Sequence, residues 1–127
     1  MARPISEAYG EALVMHGKSN PSVVVLDSDV SSSSKSNIFQ KAVPERHFNV
    51  GIAEANMVSM AAGFAAEGRI AFANTFAAFI STIGSLAART LCGYSNLNVK
   101  LCGAYGGMSD AYDGATHHSL EDISIFR

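Results

Sequence analysis

Phe48-Asn49-Val50-Gly51-Ile52-Ala53-Glu54-Ala55-Asn56-Met57 is the stretch that decides how this chain folds. A short apolar strand runs into a glycine, and a helix starts shortly after it. Strand, sharp turn and helix in this order form the unit of an α/β layer fold. The helix, expected over 53–66, carries small or apolar residues on nearly every side, which predicts burial. One carboxylate, Glu54, falls on its first turn, between Gly51, Ile52, Ala53, Ala55 and Met57. The helix dipole favours an acid there by roughly 0.3–1 kcal/mol, enough to explain an exposed carboxylate. A buried one costs several kcal/mol unless something pairs with it. A ligand nitrogen that shares its proton would be such a partner.

Outward from this stretch the alternation continues. Ile5, Ala8, Tyr9, Ala12 and Leu13 recur at helical spacing, with Pro4 suited to the first turn and Gly17 to the stop. Residues 23–26 form a β-branched run, as expected of a strand covered on both faces. Asp27 and Asp29 stand at its carboxyl end. Ser31 to Ser34 reads as a polar loop, and a short helix over 38–42 leads through Pro44 to the strand at 48–50. A third strand is expected over 69–74, a helix from Phe76 to about Cys92, and a fourth strand over 99–102. A loop with Gly103, Gly106, Gly107 and Gly114 follows, and a last helix begins at His118 or Ser119. The predicted fold is an α/β three-layer sandwich with a mainly parallel sheet, one domain over 1–127. Ligands of such sheets sit beyond the carboxyl ends of the strands. Asp27, Asp29, Glu54, Asn74, Thr75 and the loop over 103–117 all fall at such ends.

Composition narrows the function. Of 127 residues, 48% are apolar and 16% charged, a balance that implies surface buried against a partner. A net charge of −2 lacks the clustered Lys and Arg of a nucleic-acid footprint. The apolar run over 75–88 is too short for a membrane span, and the opening residues do not read as a signal peptide, so the expected location is the cytoplasm. Cys92 and Cys102 fit neither a Cys-x-x-Cys nor a zinc pattern and read as reduced core residues. No spaced set of His, Cys and carboxylates suggests a metal site.

Phe76 and Phe79 are three apart, on one helical face by this reading, and pairs of this kind are most often core. At the mouth of a site, one ring could stack on a flat heterocycle for roughly 0.5–1.5 kcal/mol beyond burial. Asp113-Gly114-Ala115-Thr116-His117-His118 closes the glycine-rich loop; neighbouring histidines are usually surface residues, but with an aspartate and glycines they make a polar site plausible. The loop matches neither the P-loop nor the dinucleotide fingerprint. Arg46, Arg89 and Arg127 read as surface or interface ion-pair residues.

Three blocks, in order along the chain, resemble the transketolase family. They are Pro44-Glu45-Arg46-His47-Phe48-Asn49-Val50-Gly51-Ile52-Ala53-Glu54-Ala55-Asn56-Met57, then Ala73-Asn74-Thr75-Phe76-Ala77-Ala78-Phe79, then Asp113-Gly114-Ala115-Thr116-His117 with Leu120-Glu121-Asp122 and Phe126-Arg127. The match is to the pyrimidine-binding domain of thiamine-diphosphate enzymes, arranged as in the C-terminal subunit of a split transketolase. The resemblance implies that Glu54 hydrogen-bonds N1′ of the cofactor's aminopyrimidine. It implies that Phe79 stacks on that ring, that Phe76 is a wall residue, and that Asp29 lies near the cofactor at a subunit interface. Asp113 and His117 match polar residues that contact donor-sugar hydroxyls, and His117 is also taken as catalytic. The chain departs from the pattern at Tyr105, where the family commonly has a histidine lining the substrate channel, and at Ala111-Tyr112-Asp113, where it has Gly-Glu-Asp.

The Gly-Asp-Gly…Asn motif that holds Mg²⁺ and the diphosphate in this superfamily is missing, and the sequence ends at Arg127 where family members continue into further strands and a C-terminal domain. The resemblance therefore implies an incomplete domain, inactive alone, with thiamine diphosphate and Mg²⁺ shared with an N-terminal transketolase subunit in a homo-oligomer or heterotetramer. The implied reaction moves a two-carbon ketol unit from a ketose to an aldose, with a sugar phosphate as substrate. Rival readings are 1-deoxy-xylulose-5-phosphate synthase, the β subunit of a 2-oxo-acid dehydrogenase, and a non-catalytic assembly or regulatory module. The Asp113 to His117 block favours transketolase over the first two.

Overall fold

A computed structural model describes residues 4–127. Helix α1 (Ile5–Ser19) leads to strand β1 (Val23–Asp27), followed by helices α2 (Ser31–Ser34) and α3 (Ser36–Ala42). A 3-10 turn at Pro44–Arg46 enters strand β2 (His47–Asn49), and helix α4 (Glu54–Ala66) leads to strand β3 (Ile70–Phe76). Helices α5 (Ala77–Thr82) and α6 (Ser85–Ala87) and a π-helical stretch, Ala88–Gly93, precede strand β4 (Val99–Ala104). Helix α7 (Asp122–Ile125) comes last. No helix among the described residues is long and apolar enough to cross a membrane.

The four strands form one wholly parallel sheet in the order β2-β1-β3-β4. Side-chain alternation then sorts the core into two layers. Val23 and Val25 of β1, with Ile70 and Phe72 of β3, face Leu13 of α1 and Phe39 of α3. Val24, Leu26, Ala71 and Ala73 face Met57, Val58, Ala61 and Ala62 of α4, Ile80 of α5, and Ala88 and Cys92 of the π-helical stretch. Helix, sheet and helix make the three layers the sequence predicts. From β1 the chain crosses the first face to β2; from β3 it crosses the second face to β4. The connections part between β1 and β3, and that crevice is where open α/β sheets bind ligands.

Several local expectations are corrected. Ser31 to Ser34 is a helical turn, because Asp27 Oδ1 accepts from the Val30 N–H and Asp27 Oδ2 from the Ser34 and Ser36 hydroxyls, winding the chain back on itself. The single helix expected from Phe76 to Cys92 is three pieces, and Phe76 ends β3 instead of starting a helix. Ser81, Thr82, Ser85 and Thr90 all turn their hydroxyls onto carbonyls one turn back, a habit that loosens and bends helices. The last helix is one turn, because Ser119 is held in a two-way backbone bridge with Gly107. Helix α4 buries one side only: Ala55, Asn56, Met60, Gly63 and Ala66 are exposed. Cys92 and Cys102 are both free, but only Cys92 is buried.

Candidate functional site

Glu54 opens α4 at the β1/β3 crevice and is only 4% exposed. Its neighbours do not share that burial. Ile52 is 81% exposed and Ala55 is exposed, so the apolar flank points outward while the acid points in. Gly51 makes this possible: its φ of +74° turns the chain sharply between β2 and α4. Asn49 fixes the turn by accepting from the Gly51 N–H (2.9 Å) and donating through Nδ2 to Asp29 Oδ1 (2.8 Å).

Inside the crevice Glu54 Oε1 accepts from Ser28 Oγ and Thr75 Oγ1, both at 3.4 Å. These residues follow from the sheet's alternation. Asp27 and Asn74 point to the α1 face, so Ser28 and Thr75 point to the α4 face. Both contacts are long and fall on one oxygen; among the described residues Oε2 accepts from none. Sequence reading named Thr75 only as a polar residue at a strand end and passed over Ser28. A period-two count along β3 would have placed Thr75 beside Glu54, whereas nothing local marks Ser28.

The same edge carries an aromatic wall. Phe76, next to Thr75, is buried and is the hub. Its ring centroid lies 5.7 Å from Phe79, 5.4 Å from Tyr105 and 5.3 Å from His117. The His117 ring also stands edge-on to Phe79 at 5.0 Å. Such edge-to-face contacts each add roughly 0.5–1.5 kcal/mol beyond burial and fix ring planes. Phe79 is only partly covered. Tyr105 follows β4 with a φ of +56° and is 39% exposed, an unfavoured backbone for an aromatic residue held by packing on Phe76.

Phe76, Phe79, Tyr105 and His117 pack together at the carboxyl edge of the sheet, the edge at which Glu54 also lies, and the two candidate aspartates stand outside that cluster. Asp29 is exposed, with a φ of +65°, and its described partner is Asn49. Asp113 is exposed at the loop tip; the buried acid of that loop is Asp110, whose Oδ2 has no partner. His117 Nδ1 lies 3.0 Å from Thr116 Oγ1. On the opposite face Asn74 donates to Leu26 O and Phe72 O and accepts from the Tyr9 hydroxyl at 2.5 Å. Burial pushes the Tyr9 phenol and the Cys102 thiol above their ordinary ranges, so both stay protonated.

A half-satisfied buried carboxylate at the switch point of a parallel sheet, with a cluster of aromatic rings at the same edge, marks the candidate site of this α/β domain. Comparison with known proteins gives the family. A family model for the transketolase pyrimidine-binding domain matches residues 2–127, and the chain belongs to that family. A protein of Methanocaldococcus jannaschii named as a transketolase C-terminal section is 45% identical over 121 residues, covering 95% of this chain and 38% of its own length. The 6-deoxy-6-sulfo-D-fructose transketolase subunit SqwH of a Clostridium species is 37% identical over 123 residues, covering 97% and 38%. A solved split-gene transketolase, an inactive β4 tetramer, superposes with a TM-score of 0.80 at 45% identity, covering 95% of this chain and 38% of that one. The chain thus spans about two fifths of the length of these relatives. Ketol transfer is the general reaction of the family, which depends on thiamine diphosphate.

Proposed function

We propose that this chain supplies the pyrimidine side of a split thiamine-diphosphate site and, with a partner chain, transfers a two-carbon ketol unit from a ketose to an aldose. The observation that carries this reading is Glu54: a buried acid with one oxygen loosely held by Ser28 and Thr75 and the other left without a described partner. The residues present fit the pyrimidine half of the cofactor. Glu54 would hold a proton at N1′, Phe79 would stack on the ring, and Phe76 would set the angle of Phe79 and His117. When bound, thiamine diphosphate supplies the carbanion at C2. Glu54 would hold and share the proton at N1′, and so orient the ring and tune its basicity for that chemistry.

The proposed substrate contacts are His117, Asp113 and Tyr105. His117 is pinned between Phe76 and Phe79 and presents an imidazole to donor hydroxyls. Asp29 is proposed at the edge toward the partner, where its exposure suits a contact between chains. Mg²⁺ and the diphosphate are proposed to be held by the N-terminal subunit. The relative named for a sulfo-sugar extends the donor class to ketoses with either a phosphate or a sulfonate terminus.

The test is reconstitution with an N-terminal subunit carrying the diphosphate motif, thiamine diphosphate and Mg²⁺, assayed with ketose phosphate and sulfo-ketose donors. Turnover is expected only when both chains are present. Turnover by this chain alone, or none with any ketose in the assembled complex, overturns the reading.

A further inference from the structure

The two residues that hold Glu54 occupy matched places on neighbouring strands. Asp27 of β1 pairs with Asn74 of β3, so Ser28 and Thr75 come next, side by side, where the strands end. The Ser28 N–H donates to Asn74 O at 3.3 Å, and the Asn74 side chain donates across to Leu26 O at 2.9 Å. From the opposite face the Tyr9 hydroxyl donates to Asn74 Oδ1. Main chain and a buried amide thus fix the spacing of the two strand ends. Ser28 and Thr75 are themselves buried, and the branched Cβ of Thr75 restricts its rotamer further.

A hydroxyl has one proton to donate. Ser28 and Thr75 both give theirs to Glu54 Oε1, and among the described residues neither hydroxyl makes another hydrogen bond. A carboxylate carries two equivalent oxygens on a flexible stem. Two donors that reach one oxygen from separate strands remove that equivalence: one oxygen is taken and the other keeps its lone pairs. Asp27, on the other face, shows the alternative, with donors on both oxygens. The two contacts to Glu54 are 3.4 Å long, and hydrogen bonds at reacting groups commonly shorten only once the reacting partner is bound.

We infer that Ser28 and Thr75 are positioning residues for Glu54: together they hold Oε1, fix the plane of the carboxyl and reserve Oε2 for the ring nitrogen of the cofactor. This rests on the thiamine-diphosphate site proposed above and adds the hydroxyl pair that makes Glu54 selective for a nitrogen-bearing ring.

The test compares the binding of thiamine diphosphate with that of an analogue carrying C–H in place of N1′, each titrated with Mg²⁺ into the complex reconstituted with an N-terminal subunit. The ratio of the two affinities reads the contact between Glu54 and the nitrogen, because a loosened fold or pocket weakens both ligands alike. The unaltered complex should favour thiamine diphosphate, and Glu54→Ala should bring the ratio close to one. Ser28→Ala and Thr75→Val should each shrink the ratio about threefold or more, the effect of one modest hydrogen bond. Thr75→Ser, which keeps the hydroxyl, should recover most of what Thr75→Val loses. A ratio unchanged in either hydroxyl-removing variant, with Glu54→Ala still abolishing it, overturns the pair and leaves Glu54 in its role. No preference in the unaltered complex, or a preference that survives Glu54→Ala, overturns the site itself and the pair with it.

Discussion

Asp27 and Glu54, two of the buried acids in this small domain, show how differently a carboxylate can be used. Asp27 is fully buried and accepts from the Val30 N–H at 2.7 Å and from Ser36 and Ser34 at 2.8 and 3.1 Å. Its bonds are short and involve both oxygens, as a structural carboxylate requires. Asp27→Ala should therefore destabilise the chain by about 2–4 kcal/mol in urea titration, since it removes charged hydrogen bonds and strands their donors. Glu54 has two long bonds on one oxygen. Glu54→Gln should leave the isolated chain as stable or more so, by up to about 1 kcal/mol, while slowing C2 proton–deuterium exchange and ketol transfer in the assembly roughly 10²–10⁴-fold. A large loss of stability with unchanged exchange would reduce Glu54 to a structural residue. His47 sets the acid limit. Burial lowers its pKa below the ordinary histidine value, and its Nε2 lies buried without a partner. Below about pH 6.5 the unfolded chain takes up a proton that the folded chain resists, so stability should fall as pH drops through that range. His47→Gln should flatten the slope of melting temperature against pH between 7 and 5.5; an unchanged slope would assign it to other groups.

At the scale of elements, close approach and side-chain back-bonding decide what periodicity does not. Helix α1 lies tightly on α3 because Gly17 has no side chain: a Cβ there would stand 2.3 Å from the ring of fully buried Phe39. Gly17→Ala should cost roughly 1–3 kcal/mol through overpacking, measurable as a lower melting temperature, and a smaller residue at Phe39 should recover part of it. Strands β1 and β3 were legible because buried parallel strands are written as continuous apolar runs, and α4 because a strand, a glycine and a helix follow one another. The break-up of 76–93 was not legible. It depends on where Ser81, Thr82, Ser85 and Thr90 send their hydroxyls, and the same residues would fit an unbroken helix. Phe76 and Phe79 were paired in sequence as helical neighbours three apart. They do meet, but across a strand end and a helix start, with His117 from a distant loop packed on both.

At the scale of the whole chain, apolar surface is left exposed. Much of the exposed apolar surface is large side chains: Ile52, Met60, Ile83 and Leu86 along α4 to α6, Tyr94 beyond them, and Ile123 and Phe126 at the far end. Strand β4 is paired on one side only, to β3, and unpaired strand edges invite association. The chain should therefore self-associate in solution, with light scattering giving a mass above 13.3 kDa at micromolar concentration. Leu86→Lys together with Ile83→Lys should shift it toward the monomer. A monodisperse monomer at 100 µM would mean that this surface is tolerated bare. The 48% apolar content foretold such a surface but not its location.

Sequence alone determined the alternation of strands with helices, the parallel sheet and the one acid at the start of α4, because each is written in neighbouring residues: apolar runs, a glycine, one acid on an apolar helix start. Tertiary structure decided that Ser28 and Thr75 hold that acid by one oxygen, that Asp113 lies outside while Asp110 lies inside, and that His117 packs on both Phe76 and Phe79. Those facts depend on which residues distant in the chain are brought together when the sheet closes, and local pattern carries no record of that distance.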